Sequence, residues 1–240
     1  MNIDKNVTGV VVTYNSLDLI KRAYESVRNF HPKMKIIIID GSDENNDCYK
    51  YISSLESDYT VLIQTGYNIG HGRGMCLGIY YTETPYALLF DSDIEMLKSP
   101  IQDMMKMMEE DTFGVGYIEK TGFDGFDYGV FPHHLQELGV RYLHPYFQLL
   151  QIKNYKKFHS YVHHGAPCFL TMFDIHKSGL ANKILKEFPG LGHSSGEGVS
   201  WKGAPREYIR HDTAGTRTLR RQNKLLEIEG AWELYKSKEG

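Results

Sequence analysis

Four short aliphatic runs, separated by stretches of helical spacing, constrain this chain more than any other feature. The first, Gly9-Val10-Val11-Val12-Thr13-Tyr14, ends in polar Asn15-Ser16, the pattern of a buried strand feeding a helix. Ser16 suits an N-cap, and Leu19, Ile20, Ala23, Val27 and Phe30 then recur at helical spacing until His31-Pro32 stops them. A second strand over 35–39 ends at Asp40-Gly41-Ser42. The spacing predicts a helix over 45–55 and a third strand over 60–64. The glycine-rich turn Asn68-Ile69-Gly70-His71-Gly72-Arg73-Gly74 then opens a helix through Tyr81, and a fourth strand over 86–90 delivers Asp91-Ser92-Asp93. Strands alternating with helices in this way pair in parallel through right-handed crossovers. The expected class is therefore α/β, a Rossmann-like, open, mostly parallel sheet flanked by helices. Its strand ends are polar at 13–15, 40–42 and 91–93, and ligands of such sheets bind outside the carboxyl ends of the strands.

Beyond this half the pattern predicts a helix over 101–110 and a strand over 113–118. Residues 120–164 are rich in Gly, His, Tyr and Phe without clear periodicity. Such a stretch either covers a site or packs on its own aromatics. A strand is expected over 166–173, a helix over 174–188, a second glycine-rich loop over 190–203, a strand over 206–210 that delivers His211, and a charged helix over 219–236. There is no internal repeat or low-complexity linker, so 240 residues read as one large domain.

Composition excludes several classes. Apolar residues at 41% and charged residues at 24% suit a soluble globular chain and neither a disordered nor a collagen-like one. A net charge of −3 supplies no general field for a polyanion, so nucleic acid is an unfavoured partner. The strongly apolar runs, 10–12 and 36–39 among them, fall far short of the about 20 residues a membrane helix needs. The opening Met1-Asn2-Ile3-Asp4-Lys5-Asn6 has no secretory pattern. Cys48, Cys76 and Cys168 lie apart without CxxC spacing, which points to reduced, buried thiols in the cytoplasm.

Asp91 and Asp93 are the strongest chemical signal. Two carboxylates just past a buried strand repel one another unless a divalent cation relieves them, and Mn2+ or Mg2+ prefers such oxygen ligands. An isolated pair of this kind is otherwise a solvated turn. Asp40 can accept hydrogen bonds from a ribose or a base, with Gly41 allowing close approach; capping or forming a turn would use the same carboxylate. The segment from Gly70 to Gly74 offers helix amides to an anion, with Arg73 adding charge. It is not a Walker motif, and Met75 occupies the last glycine position of the dinucleotide fingerprint. His211 could join the cation, and Arg217, Arg220 and Arg221 could close over a diphosphate. Eleven histidines, including the pairs His133-His134 and His163-His164, make a structural role for any one of them equally natural.

Taken together, Val10-Val11-Val12-Thr13-Tyr14-Asn15, Ile39-Asp40-Gly41-Ser42, Asn68-Ile69-Gly70 and Leu89-Phe90-Asp91-Ser92-Asp93 resemble a family 2 glycosyltransferase of the GT-A fold in order and spacing. The resemblance is strong over 7–97 and thinner over 165–217. There Cys168-Phe169-Leu170-Thr171-Met172-Phe173 is similar to the acceptor-side strand and His211 to the late metal-binding histidine. It implies a nucleotide-sugar half at 1–97, an acceptor-side half at 98–217 and a C-terminal helix at 218–240. By the same resemblance Thr13, Tyr14 and Asn15 line the nucleotide pocket, Asp40 holds base or ribose, and Asn68, Arg73, Ser92 and Arg217 complete the donor site. Asp91 faces ribose and metal, and Asp93 ligates the metal together with His211. Such enzymes usually invert the anomeric centre with a carboxylate base. The expected Glu-Asp pair is absent here, and Glu197 is the nearest replacement, with His193 behind it.

The implied reaction is Mn2+- or Mg2+-dependent transfer from a nucleoside-diphosphate sugar, of UDP or GDP type, to a hydroxyl of a glycan, a lipid-linked sugar or another acceptor. Oligomerisation is compatible with it. Two other readings use the same sheet. A sugar nucleotidyltransferase would carry its glycine-rich phosphate loop directly after the first strand, where this chain has Thr13-Tyr14-Asn15-Ser16. A non-catalytic nucleotide- or glycan-binding module is favoured only by the missing Glu-Asp pair. Transfer to modified bases in DNA draws on the basic cluster from Arg217 to Arg221 and is opposed by the acidic total.

Overall fold

The computed structural model describes residues 2–121, 139–162, 166–192 and 207–211. The expected helix over 219–236, Glu197, His193, Arg217, Arg220, Arg221 and both histidine pairs lie outside the described residues.

A short helix α1 (Ile3–Asn6) precedes β1 (Val7–Thr13), α2 (Leu17–Phe30), β2 (Lys35–Asp40), α3 (Asp47–Ser53), β3 (Thr60–Gln64), α4 (His71–Tyr80) and β4 (Tyr86–Asp91). Then come β5 (Ile94–Met96), α5 (Ile101–Lys106), β6 (Gly114–Thr121), β7 (Val140–Gln151), α6 (Ile152–Tyr155), α7 (Phe169–Lys177), α8 (Ala181–Ile184), β8 (Leu185–Glu187) and β9 (Ile209–His211). Among the described residues one seven-stranded sheet has the order β3-β2-β1-β4-β7-β6-β8, and β5 pairs with β9 separately. Strands β1 to β4 are mutually parallel, β7 runs antiparallel to β4 and β6, and β8 is parallel to β6. The strand order reverses direction between β1 and β4, which opens a crevice at their carboxyl ends.

The parallel strands are apolar on both faces because helices cover both. Alternation divides them between two cores. Val11, Ile36, Ile38, Leu88 and Phe90 pack with Ile20, Ala23 and Val27 of α2 and with Ile101 and Met104 of α5. Val10, Ile37, Ile39 and Leu89 pack with Met75 and Ile79 of α4 and with Met172 and Ile175 of α7. Helix α4 lies very close to β1. A Cβ on Gly74 would stand 2.6 Å from Val12 Cγ1, and one on Gly78 would stand 2.3 Å from Val10 Cγ1. Two glycines of this segment therefore serve helix–sheet contact.

Three expectations are corrected. The apolar run over 166–173 is not a strand: its second half forms α7, and with it the supposed acceptor-side strand becomes a helix burying Thr171, Met172 and Ile175. A short apolar run fits a buried helix face as well as a strand, and here the helix covers the sheet. The helix expected over 174–188 stops at Ser178, followed by Gly179 at φ 72°, and the chain returns through α8 to β8, which satisfies the edge of β6. The unperiodic stretch 120–164 contains β7, the longest strand described. No helix among the described residues is long and apolar enough to cross a membrane.

Candidate active site

The polar strand ends expected from the sequence meet on one edge of the sheet. Asn15 holds φ 47° after β1, donates from its backbone N–H to Ser42 Oγ (2.8 Å) and from Nδ2 to Asp43 Oδ2 (2.9 Å). The Gly41 N–H donates to the Thr13 carbonyl at 3.0 Å, and the Thr13 and Ser16 hydroxyls bond at 3.0 Å. Asp40 is fully buried. Its Oδ1 accepts from the Ser42 N–H at 2.9 Å and its Oδ2 from Gln64 Nε2 at 3.1 Å. These contacts describe the turn-forming role for that carboxylate. Gly41 is required by chain rather than ligand, since a Cβ there would sit 2.8 Å from the Tyr67 carbonyl oxygen. Asn68 Oδ1 accepts the Gly70 N–H at 2.9 Å, shaping the entry to α4, whose first turn leaves Arg73 exposed. Tyr14 is half-buried on the same rim.

At the end of β4, Asp91, Ser92 and Asp93 turn the chain into β5. That three-residue strand explains how a histidine far along the chain arrives here: Ile94 pairs with His211 and Met96 with Ile209. His211 Nε2 lies 3.1 Å from Asp93 Oδ1 and 3.6 Å from Asp91 Oδ2. One ligand atom from each of Asp91, Asp93 and His211 lies within 4.8 Å of the others. An octahedral ion with bonds of about 2.1 Å holds adjacent ligands about 3 Å apart; the two distances from His211 are near that value, and two carboxylates with an imidazole are a donor set that can hold a divalent cation. Ser92 is buried within the turn.

Four residues of this edge were not singled out from the sequence. His71, the first residue of α4, sets Nε2 3.1 Å from Asp91 Oδ1. Burial would raise the Asp91 pKa, but the charge and hydrogen bonding of His71, with His211 and His144 nearby, outweigh it and hold the carboxyl well below the usual range. For His71 burial pulls down and Asp91, with Asp93, pulls up more strongly, so its pKa is raised. Tyr146 stacks on His211 with centroids 4.7 Å apart and planes 7° from parallel, and its hydroxyl donates to the Gly192 carbonyl at 3.2 Å. His144 Nε2 lies 3.7 Å from Glu119 Oε1. The signal for His71 is its place opening a helix behind a polar strand end. For Glu119, His144 and Tyr146 the only signal is strand register, which the unperiodic sequence hides.

The sequence profile of Glycosyl transferase family 2 matches residues 8–177. No curated protein sequence matches the chain. Among solved structures it is similar to the mannosyltransferase PcManGT from Pyrobaculum calidifontis in complex with GDP-Man and Mn2+, with a TM-score of 0.56 and 14% identity. The alignment covers 77% of this chain and 55% of that one, and at such identity it speaks for the fold.

Proposed function

Because the chain belongs to glycosyl transferase family 2 and has the GT-A fold, we propose that it moves a sugar from a nucleoside-diphosphate sugar to a hydroxyl acceptor, with inversion at the anomeric carbon. The observation that carries this reading is the convergence of Asp91, Asp93 and His211 at the carboxyl edge of the parallel strands. These three residues would hold Mn2+ or Mg2+. When bound, the ion supplies Lewis-acid stabilisation of the charge that grows on the departing diphosphate.

The chain's own residues bind and orient. Thr13, Tyr14 and Asn15 form the wall of the nucleotide pocket, and Asp40 fixes the turn that joins that wall to Ser42. Asn68 sets the loop that presents the first turn of α4 and Arg73 to the diphosphate. His71 orients the Asp91 carboxylate. GDP-Man is the ligand of PcManGT, so GDP-sugars stand beside UDP-sugars as donors to try. Cys48, Cys76 and Cys168 are free thiols, which suits a reducing compartment such as the cytoplasm.

The test is release of nucleoside diphosphate from GDP-mannose, UDP-glucose and UDP-N-acetylglucosamine with and without Mn2+. Release from one donor that requires Mn2+ and disappears in Asp93→Ala is the expected result. Pyrophosphate release from nucleoside triphosphate plus sugar phosphate would instead identify a nucleotidyltransferase, and donor binding without hydrolysis or transfer across many acceptors a binding module.

A further inference from the structure

We propose that Glu119 is the base that takes the proton from the attacking hydroxyl, with His144 as its positioning residue; this rests on the glycosyl-transfer reading above. Strand topology carries the argument. Both β4 and β6 run antiparallel to β7, so β6 is parallel to β4 and its last residues reach the same carboxyl edge as Asp91. The β4–β7 register ends at Phe90 and Phe147, so His144 to Tyr146 lie beyond the end of β4, alongside the Asp91-Ser92-Asp93 turn. Between the pairs Gly116–Gln148 and Ile118–Leu143 the β6–β7 register shifts. Such a bulge bends a strand and re-aims its side chains.

The bulged stretch sets His144 between Glu119 and the cation ligand His211. On one side Nε2 is 3.7 Å from Glu119 Oε1; on the other its ring centroid is 6.5 Å from that of His211. Tyr146 makes the same bridge: stacked on His211, it feels the charges of both Glu119 and Asp91. Glu119 stands outside the three-residue cation set. Its side chain is 15% exposed and that of His144 12%. The carboxylate is thus largely desolvated yet still partly open, on the same carboxyl edge of the sheet as the cation set.

In the step proposed, the acceptor oxygen bonds to the anomeric carbon as its proton passes to the Glu119 carboxylate. The bond from the anomeric carbon to the diphosphate oxygen breaks, and that electron pair leaves with the nucleoside diphosphate.

Azide separates this role from a structural one, because it attacks the anomeric carbon through nitrogen with no proton to lose. The full chain is assayed with Mn2+ and GDP-mannose or UDP-glucose, using water or sodium azide as nucleophile. Glu119→Gln is expected to lower kcat for donor hydrolysis by about 100-fold or more while leaving the donor KM within about twofold. Glycosyl azide should still form at a rate near that of the wild type. His144→Gln should move the azide-to-water ratio in the same direction by less, and Glu119→Asp should retain part of the hydrolysis. Melting temperature and Mn2+-dependent nucleotide binding report the fold of each variant. Equal losses with water and azide would overturn the proposal, as would unchanged hydrolysis in Glu119→Gln. If hydrolysis fell in Glu197→Gln instead, the base would be Glu197. A wild-type chain that binds nucleotide yet neither hydrolyses a donor nor transfers from it across many hydroxyl acceptors would overturn the transfer reading itself.

Discussion

Asp40 shows how much can hang on one buried carboxylate. It is fully buried, and its two oxygens receive the Ser42 N–H and the Gln64 amide, which fixes the turn that Asn15 and Thr13 lean on. Asp40→Asn keeps the shape and removes one acceptor, leaving an NH2 facing either the Ser42 N–H or Gln64 Nε2. An unsatisfied buried polar group costs about 1–3 kcal/mol, and Gln64 is not free to reverse its amide because its Nε2 also donates to the Tyr49 carbonyl, which can only accept. Asp40→Asn is therefore expected to destabilise the chain by about 1–3 kcal/mol in urea titration and to weaken nucleotide binding through the displaced Asn15–Ser42 contact. Unchanged stability together with weakened binding would assign Asp40 to direct ligand contact. The residue was readable from its place at a strand end, whereas its partners were not, since Gln64 comes from a neighbouring strand whose register no local pattern states.

The packing of α4 on β1 carries the element-scale prediction. An alanine in place of a helical glycine ordinarily gains about 0.8–1.0 kcal/mol of helix propensity. At Gly78 the added methyl would stand 2.3 Å from Val10 Cγ1, and Val10 is fixed by ladders to strands on both sides. Overpacking typically costs about 1–3 kcal/mol and outweighs the propensity gain. Gly78→Ala should lower the melting temperature, and Val10→Ala combined with it should lose less than the sum of the two single losses. Additive losses would mean that α4 shifts to accommodate the methyl. The same elements explain what the sequence made legible. The four parallel strands could be read because each is a short apolar run bounded by polar residues. Strand β7 could not, because Pro145, which lacks an N–H, falls in the stretch where the β6–β7 register shifts. Strand β5 is three residues long, and the run leading into α7 is apolar enough for either class. The cation set was legible at Asp91 and Asp93; Glu119 and His144 were hidden because only the bulged register brings them together.

At the scale of the molecule, the site ties together parts of the chain that lie far apart in the sequence. Asp93 and His211 are 118 positions apart, and among the described residues β9 pairs with the three residues of β5. A ligand that needs both ends in place binds the folded state alone, so its free energy of binding adds to stability by mass action. At one hundred times Kd that amounts to about 2.7 kcal/mol. For a chain of this size each kcal/mol moves the melting temperature by roughly 2–4 °C, so saturating nucleoside diphosphate with Mn2+ should raise it by roughly 5–10 °C. The informative comparison is between arms of one experiment. If the ion and the diphosphate share Asp91, Asp93 and His211, each should bind better in the presence of the other, and the joint shift should exceed the sum of the separate shifts. His211→Ala removes the imidazole and the surface on which Tyr146 stacks, so it should abolish the excess while leaving any shift from nucleotide alone. An excess that persists in His211→Ala would mean that the two carboxylates hold the ion without β9, and that His211 serves the packing of Tyr146.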